Sequence, residues 1–382
     1  MKKQRIAFLY LNTGGGHISA AKALASRAVE LYGKDVEVFP FNPVLRKDHL
    51  ARFLLQEGYR ISSLKIEKFW IFIYEFNRLK CMQKFWELFV QAFLGRNLRR
   101  FLRDNEITKI VVLHFLLITP ALRASYSFTR RIPIVTVVTD PFTAHNFWQT
   151  QPQIEKIVFS ERARREAVQL YGAREENIHV FPVILKKDFG TILSGEERRR
   201  KREELGFSTD KRLILFAGGG EGYPRGEMYV GALLNTHLDV EIAVVCGHDE
   251  LQRWAIQTLA KLHKKRKVVA FGFIDFMFDL MNIADIVVSK GGPATILEAL
   301  ILKKPLIVTQ YVYGQEKGNV EFLVHNGVGF YTTRVRKMVS TVTSLCANPQ
   351  SYAGIQKRLN KLHIEIGTDQ ILDFIINYST QG

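Results

Sequence analysis

Residues 284–300 read ADIVVSKGGPATILEAL, and this stretch decides the fold. A short run of β-branched residues ends at two glycines, and a helical pattern begins at Pro293, a residue type favoured in the first turn of a helix. The same order of strand, glycine turn and helix is found in LYLNTGGGHISAA (9–21) and LFAGGGEGYP (215–224). Such turns are typical of parallel sheets covered by helices on both faces.

Short apolar runs alternate with helical patterns along all 382 residues. The first series is IAFLYL, KIVVLHFLL, IPIVTVVTD, EKIVFS and NIHVFPV, and the second is RLILFAGGG, VEIAVVCG, KVVAFGF, ADIVVSKGG and KPLIVTQ. Apolar runs of this length, bounded by glycine or proline, indicate buried parallel strands. Two such series predict an α/β protein with two doubly wound, Rossmann-like domains.

The domain boundary is predicted near residues 184–205, because segment 194–207 is highly charged and almost free of large apolar residues. The N-terminal domain then covers residues 1–190 and the C-terminal domain residues 191–366. The last residues, 367–382, contain an amphipathic pattern that we expect to form a helix packed back on the N-terminal domain.

Composition restricts the class of protein. A hydrophobic content of 47% with 24% charged residues is that of a globular chain, and the three cysteines form no CxxC pair, which argues against a disulfide or zinc framework. The apolar run at residues 6–11 is too short for a signal peptide, and no uncharged run approaches the roughly 18 residues of a membrane span. We therefore expect a cytoplasmic protein.

The net charge of +17 is concentrated in the first half, with +13 in residues 1–190. Segment 51–103 holds twelve aromatic residues and eleven Lys or Arg against four acidic residues. Aromatic and basic residues interleaved at helical spacing suit a helix in the interface of an anionic membrane, although packing inside the domain stays an alternative. Nucleic acid is a disfavoured partner, because the aromatic residues form bulky helical clusters instead of stacking platforms on strands.

The glycine turns predict a phosphorylated ligand. Glycine lets an anion approach the backbone, and the start of a helix offers unpaired N–H groups. The chain has no GxxxxGK[ST] motif, and GGGHIS lacks the third small residue of GxGxxG, so a P-loop and a nicotinamide site are disfavoured. No Asp-x-Asp pair is present to hold a metal beside a diphosphate, so amides, a helix dipole and Lys290 would balance a departing negative charge.

Polar side chains follow the third glycine turn. Glu298 comes little more than one helical turn after Pro293, where a carboxylate can accept two hydrogen bonds from a ribose diol. Gln315, Glu316 and Asn319 lie close together downstream and suit the hydroxyl groups of a sugar, although a polar loop and helix cap would look the same.

Taken together, the chain resembles the two-domain (GT-B) glycosyltransferases of family 28, most closely the branch of monogalactosyldiacylglycerol synthase and processive diacylglycerol glucosyltransferase. The resemblance covers nearly the whole chain outside residues 45–105 and the linker. It rests on TGGGHISAAKAL (13–24), VVTDPFTAHNFW (137–148), AGGGEG (217–222), GFIDFMFDLMNIADIVVSKGGPATILEAL (272–300) and PLIVTQYVYGQEKGNVEFLVHNGVG (305–329).

The resemblance implies an inverting, metal-independent transfer of a hexose from a UDP-sugar to the hydroxyl of diacylglycerol, on the inner face of the cell membrane and without a cofactor. It also implies two domains that face each other across a cleft, the C-terminal one holding the donor. The donor residues implied are Gly219, Gly220, Phe271, Gly272, Phe273, Lys290, Gly291, Gly292, Pro293, Glu298, Gln315, Glu316 and Asn319.

The N-terminal domain would then hold the acceptor. His17 follows a glycine turn that lets an acceptor come close, and imidazole can take a proton from an attacking hydroxyl. Asp140 follows a predicted strand and is the other candidate base; which of the two takes the proton stays open. The remaining acceptor-site residues implied are Gly15, Gly16, His145 and Trp148.

Three alternatives remain. An N-acetylglucosaminyltransferase acting on an undecaprenyl-linked lipid shares these turns, and a hexosamine 2-epimerase is a more distant relative on the same fold. A non-catalytic protein that binds a nucleotide sugar or an anionic lipid is disfavoured, because it could dispense with several of the polar residues retained here. The sequence does not distinguish galactose from glucose.

Overall fold

A computed structural model describes residues 3–45, 47–58, 67–76, 79–143, 146–220 and 222–379 of the chain. The chain divides into two compact units. The first unit contains residues 1–186, 313–315 and 366–382, and the second contains residues 187–312 and 316–365.

The first unit is built on a parallel sheet with the strand order β2-β1-β3-β4-β5-β6 among the described residues. Its strands are β1 (Gln4–Leu9), β2 (Val36–Phe41), β3 (Lys109–Val112), β4 (Ile134–Val137), β5 (Glu155–Val158) and β6 (Ile178–Val180). Because β2 and β3 lie on opposite sides of β1, the chain reverses its direction of winding between β1 and β3. Open α/β sheets bind ligands at such a reversal.

Helices connect these strands. Those of the first pass through this unit are α1 (Gly15–Tyr32), α2 (His49–Arg52), α3 (Glu67–Phe76), α4 (Lys80–Asp104), α5 (Ile118–Ser125) and α6 (Glu161–Tyr171). Shorter turns are a π-helix at Phe53–Glu57 and 3₁₀ helices at Phe115–Leu117, Asn146–Gln149 and Glu175–Asn177. No helix within the described ranges is both long and apolar enough to cross a bilayer.

Alternate residues of β1 enter different cores. Ile6 and Phe8 pack with the buried alanines of α1, whereas Ala7 and Leu9 pack with the buried face of α4. All four side chains are fully buried. Helices therefore cover both faces of the sheet, which is why its strands are continuously apolar in sequence.

The second unit repeats this architecture with the strand order β12-β11-β10-β7-β8-β9. Its strands are β7 (Arg212–Ala217), β8 (Val240–Val245), β9 (Val268–Phe271), β10 (Ile286–Lys290), β11 (Leu306–Gln310) and β12 (Gly329–Tyr331), all parallel. The winding reverses between β7 and β10, so their loops meet at one point of the sheet edge. The prediction of two doubly wound parallel sheets is confirmed.

The helices of the second unit begin after a 3₁₀ turn at Lys187–Gly190. They are α7 (Gly195–Glu204), α8 (Gly226–Leu234), α9 (Glu250–Leu262), α10 (Met277–Ile283), α11 (Pro293–Ile301), α12 (Lys317–His325), α13 (Val335–Ala347) and α14 (Pro349–Lys361). The charged segment predicted as a boundary forms α7, which begins with a capping box of Ser194 and Glu197. Arg202 of this helix is buried and pairs with Asp285 at 2.6 Å, so α7 is fixed to the second unit.

The last helix among the described residues is α15 (Thr368–Asn377), which belongs to the first unit and packs against α1. The buried ammonium of Lys109 donates to the carbonyl oxygens of Ile375 and Ile376, both at 2.6 Å. A cation at the C-terminal end of a helix satisfies carbonyl groups that have no partner within the helix. This contact anchors α15 to the end of β3.

Candidate functional site

The winding reversal of the first unit brings the ends of β1 and β3 together. Gly14 and Gly15 follow β1, and α1 begins at Gly15. A Cβ atom added to either glycine would meet no described atom within 4 Å, so the protein's own packing does not demand glycine here. The turn leaves open space beside the first residues of α1, which a ligand can occupy.

His17, in the first turn of α1, is held from β3 and β4. Its Nδ1 lies 2.8 Å from the carbonyl oxygen of Leu113 and 2.8 Å from Oγ1 of Thr139. A carbonyl oxygen can only accept, so Nδ1 carries the proton and Nε2 presents a lone pair. Nε2 has no hydrogen-bond partner in the part of the chain that the structure describes, so it is available to take a proton.

Burial determines the charge of His17. It lowers the pKa to about 4, while the hydrogen bond to Leu113 acts in the opposite direction. The imidazole is therefore neutral at pH 7 in nearly every molecule. A neutral ring with its proton fixed on Nδ1 is the form that a general base requires.

A second histidine, His114, directly follows Leu113 and is almost fully buried. Its Nδ1 accepts from the amide of Leu116 at 3.3 Å, and its Nε2 lies 3.0 Å from Oγ1 of Thr13. The two imidazole rings are 4.7 Å apart. Burial, and then the neighbouring His17, hold the pKa of His114 well below its usual range. It is a neutral ring that packs beside His17 and ties the glycine turn to β3.

Asp140 and Trp148 complete this group. Trp148 is fully buried and donates from Nε1 to Oδ2 of Asp140 at 3.0 Å, and its ring lies 6.2 Å from that of His17. Asp140 is itself only 6% exposed. The structure thus brings the predicted catalytic residues His17 and Asp140 into one group, and Trp148 lies beside both of them. Predicted residue His145 lies outside the described residues.

Exchanging Trp148 for phenylalanine keeps most of the ring and removes the donor to Asp140. We expect the reaction at this site to be roughly 10–100-fold slower in the variant, because a hydrogen bond to a charged group contributes about 1.5–3 kcal/mol. The effect of Trp148→Phe on kcat is measured twice, once in the wild-type protein and once in the Asp140→Asn variant. If Trp148 acts through Asp140, Trp148→Phe adds little to the loss that Asp140→Asn already causes. Fully additive losses would contradict this role.

The winding reversal of the second unit joins the loops after β7 and β10. Oγ of Ser289 donates to the carbonyl oxygen of Ala217 at 2.6 Å, which ties the two strand ends together. Gly218 is required by the fold, since an added Cβ would lie 2.0 Å from the carbonyl oxygen of Gly222. Gly219 has a φ of 79°, in the left-handed region. The predicted residues Gly219 and Gly220 therefore lie in a tight turn beside the β10 loop.

The turn after β10 is held in place by residues at and just after the end of β11 and by α12. The amide of Gly291 donates to the carbonyl oxygen of Gln310 at 2.7 Å, and an added Cβ would lie 2.6 Å from Cβ of Tyr311. Asn319 donates from Nδ2 to the carbonyl oxygen of Gly291 at 2.9 Å. These contacts fix the backbone of Gly291, so the amide groups after β10 have a defined direction.

Glu316 lies against the same turn. Its Oε2 accepts from the amide of Val312 at 2.7 Å, and burial raises its pKa while Lys290 acts in the opposite direction. Glu316 is 8% exposed, Asn319 is fully buried, and Gln315 is 6% exposed and belongs to the first unit. The sugar contacts of all three stay predictions; the contacts of Glu316 and Asn319 described above support the turn.

Helix α11 starts at this turn with favourable geometry for an anion. Gly292 is its N-cap and provides no side-chain cap, and Pro293 occupies the first turn. Amide groups at the start of such a helix point outward and carry partial positive charge. Lys290 and Glu298 are both half-buried, one before the turn and one on α11.

An exposed aromatic ring marks the end of β9. Phe273 is 63% exposed, and its ring stacks on that of His248 with centroids 4.7 Å apart and planes 7° from parallel. The amide of His248 donates to the carbonyl oxygen of Gly220 at 2.9 Å, so this pair adjoins the β7 turn. Phe271, which ends β9, and Gly272 lead into it. The loop that holds the predicted donor residues Phe271, Gly272 and Phe273 thus has an aromatic surface suited to a flat ring.

Sequence reasoning missed four groups of the two sites: the carbonyl of Leu113, Thr139, His114 and His248. A signal was present for two of them, since His114 ends the run KIVVLH and Thr139 precedes Asp140 at the end of a strand. In the described ranges, no three His, Cys, Asp or Glu side chains come together as metal ligands.

Comparison with known proteins gives two family matches. Residues 17–183 match the family described as monogalactosyldiacylglycerol (MGDG) synthase, and residues 228–363 match the glycosyltransferase family 28 C-terminal domain.

Curated relatives cover most of the chain. The chloroplastic monogalactosyldiacylglycerol synthase of Spinacia oleracea is 27% identical over 360 residues, which are 89% of this chain and 66% of that protein. The processive diacylglycerol beta-glucosyltransferase of Bacillus licheniformis is 24% identical over 380 residues, which are 98% of this chain and 95% of that protein. The chain therefore spans just under two thirds of the spinach protein and nearly all of the Bacillus protein.

Solved structures with the same fold include MurG of Acinetobacter baumannii, with a TM-score of 0.62 and 13% identity over 98% of this chain and 100% of that one. UDP-GlcNAc 2-epimerase of Neisseria meningitidis, bound to UDP-GlcNAc, has a TM-score of 0.64 and 12% identity over 98% of this chain and 100% of that one. Anabaena HepE in complex with UDP-glucose has a TM-score of 0.58 and 16% identity over 97% of this chain and 98% of that one. At these identities the likeness shows the fold alone.

Proposed function

We propose that the chain is a glycosyltransferase of family 28, in the branch of the monogalactosyldiacylglycerol synthases and processive diacylglycerol glucosyltransferases, and that it transfers galactose or glucose from a UDP-sugar to the hydroxyl of diacylglycerol. The observation that carries this proposal is the state of His17. It is a neutral imidazole whose Nδ1 proton is held by a backbone carbonyl, beside a turn with room for a ligand. A hydroxyl that attacks a sugar must lose its proton, and this ring is arranged to accept it.

The first unit supplies the acceptor half of the reaction. Nε2 of His17 takes the proton of the acceptor hydroxyl as that oxygen forms a bond to C1 of the hexose. The bond between C1 and the diphosphate oxygen breaks, and its electron pair leaves with UDP, so the configuration at C1 is inverted. Asp140, which Trp148 holds in place, orients the hydroxyl group.

The second unit supplies the donor half. The amides of the turn at Gly291 and Gly292 and of the start of α11 receive the diphosphate, and Lys290 adds a positive charge. Glu298 binds the ribose hydroxyls, and the exposed ring of Phe273 stacks on uracil. The negative charge on departing UDP is balanced by these groups, and the proposed steps use no metal ion.

The segment 51–103 supplies the contact with the membrane in this proposal. Helix α4 has a buried stripe that consists of Val90, Leu94, Leu98 and Leu102. Among the described side chains of the segment, the exposed large apolar ones are Phe53, Leu54, Phe72, Phe76, Leu79, Phe85, Leu88 and Phe93. The described part of the segment therefore has a buried apolar face and also exposed apolar side chains. With its excess of Lys and Arg, this exposed face suits the anionic inner surface of a cell membrane.

Docking through this face can be tested with the double variant Phe72→Ser, Phe76→Ser. The two rings are 65% and 45% exposed and stack on each other. We expect roughly tenfold weaker binding to vesicles that contain phosphatidylglycerol, because two apolar side chains no longer enter the interface. Binding of the wild type should also fall as salt increases. The control is Tyr126→Ser, a 51% exposed ring outside the segment; equal binding of all three proteins would contradict the assignment.

The chemistry is tested by incubating the purified protein with each UDP-hexose and vesicles that contain diacylglycerol, and identifying the lipid product by mass spectrometry. We expect a hexosyldiacylglycerol with inverted anomeric configuration. A parallel reaction contains UDP-N-acetylglucosamine and an undecaprenyl-linked acceptor. A product only in that reaction, or binding of UDP with no product in either, would overturn the proposed function.

A further inference from the structure

The three most exposed large apolar side chains of the described residues lie on one helix of the second unit. Leu251, Leu262 and Trp254 of α9 are 83%, 73% and 69% exposed. At 100° per residue they fall within an arc of about 80°, with Thr258 between them. The hydroxyl of Thr258 donates to the carbonyl oxygen of Trp254 at 3.0 Å, so it adds no unpaired donor to this stripe. The opposite side of α9 holds the buried residues Gln252 and Ile256.

Positive charge surrounds the C-terminal end of this stripe. Residues 261–267 read KLHKKRK. Arg266 is committed to the second unit, since it donates to the carbonyl oxygen of Leu233. Lys261, Lys264 and Lys265 are exposed, and they make no ion pair with any described residue. The apolar stripe of α9 is thus followed, at its C-terminal end, by three exposed lysine side chains.

We propose that the α9 face, made of Leu251, Trp254, Leu262, Lys261, Lys264 and Lys265, is a docking surface of the second unit for an anionic lipid bilayer. Indole and leucine side chains are favoured at the boundary between headgroups and acyl chains. Lysines beside them reach lipid phosphates, and each adds attraction that an uncharged bilayer does not provide.

The charge favours this occupant over others. Nucleic acid would be attracted to the lysines, but it would leave the two leucines and the indole in water. A purely apolar protein partner would cover the stripe and leave the three ammonium groups without a counter-ion. An anionic bilayer satisfies both parts of the face. The inference rests on the proposed function only in that the acceptor is a membrane lipid; its residues are separate from those of segment 51–103.

The first experiment measures binding of the full chain to vesicles of phosphatidylcholine with and without phosphatidylglycerol. The double variant Leu251→Ser, Leu262→Ser should bind anionic vesicles roughly tenfold more weakly than wild type. The matched control is Leu170→Ser, because Leu170 is 68% exposed on a helix of the first unit. Lys264→Gln with Lys265→Gln should weaken binding to anionic vesicles alone. Transfer to a detergent-dissolved acceptor should be unchanged, since none of these side chains belongs to the sites described above.

The second experiment measures whether Trp254 of α9 enters the bilayer, from the quenching of its fluorescence. Vesicles with brominated acyl chains quench a tryptophan that enters the interface, and the difference between wild type and Trp254→Phe isolates the signal of Trp254. We expect this difference to be quenched only with anionic vesicles. If the protein binds vesicles while Trp254 stays unquenched, or if the leucine variant binds as tightly as Leu170→Ser, the inference on α9 is overturned and docking through segment 51–103 stands. If the wild type binds no vesicles, both docking assignments fail, whereas the product assay still tests the chemistry.

Discussion

Replacing His17 with alanine should lower the rate of transfer by roughly 10²–10⁴-fold, the usual contribution of a positioned general base. The affinity for UDP should stay within about twofold of wild type, because His17 belongs to the first unit and the proposed UDP site lies in the second. Turnover is measured with saturating donor, and UDP binding is measured by calorimetry. Transfer at a near-normal rate would remove His17 from the mechanism.

The His17→Gln variant is the matched control for shape. Its amide can still donate to the carbonyl of Leu113, but it cannot accept a proton at neutral pH. If the imidazole acts as a base, this variant should be as slow as His17→Ala. If His17 only holds the glycine turn in place, glutamine should restore much of the activity.

The pH dependence provides an independent check on the same residue. The pKa of His17 is lowered to about 4, so the base form is present above that pH and is lost below it. We expect kcat/KM to be flat from neutral pH down to about pH 5, whereas an enzyme whose base is a solvent-exposed imidazole would lose about half of its activity by pH 6.5. An acid limb centred at pH 6.5 would contradict the lowered pKa of the half-buried His17.

Stability must be measured beside this profile. His17 and His114 both have lowered pKa values, so the unfolded chain takes up protons between about pH 6.5 and 4 that the folded chain does not. The free energy of unfolding therefore falls as the pH decreases through this range. Thermal unfolding at each pH separates loss of the fold from protonation of the base.

The alternation of apolar runs and glycine turns was enough to predict both sheets and the turns at their edges. What it did not predict depends on which strands are neighbours. The group that fixes the proton of His17 is the carbonyl of Leu113, about a hundred positions later in the chain, and it is close only because β3 lies beside β1. Backbone groups have no sequence signature, so this contact becomes visible only with the strand order.

Burial was the other limit. Asn319 is predicted to contact a sugar because it is an amide in a polar segment, and this stays a prediction; the structure adds that its side chain is fully buried and donates to the carbonyl oxygen of Gly291, which the sequence did not indicate. Segment 51–103 was ambiguous for the same reason, since its aromatic residues suited both a core and a lipid surface. The structure shows that α4 divides its apolar residues between a buried face and an exposed face, which depends on where the helix lies on its unit.

Replacing Glu298 with alanine should weaken UDP binding by roughly 10–100-fold, because hydrogen bonds to a charged group contribute about 1.5–3 kcal/mol. Glu298 lies on α11, the helix that begins at the proposed diphosphate site, and its side chain is half-buried. A carboxylate at this position can accept from two ribose hydroxyls. The glutamine variant keeps one acceptor without the charge and should fall between alanine and wild type.

The ribose contact is isolated by comparing UDP with 2′-deoxy-UDP in both proteins. In wild type, removal of the 2′-hydroxyl should cost affinity, because the carboxylate of Glu298 loses one of its two donors and keeps its charge. In Glu298→Ala the same removal should cost almost nothing, since no acceptor remains to be left unpaired. Equal losses in the two proteins, or unchanged affinity of the alanine variant for UDP, would show that the ribose lies elsewhere. Either result would also contradict the proposed diphosphate site, because Gly292 is the N-cap of α11, the helix that carries Glu298.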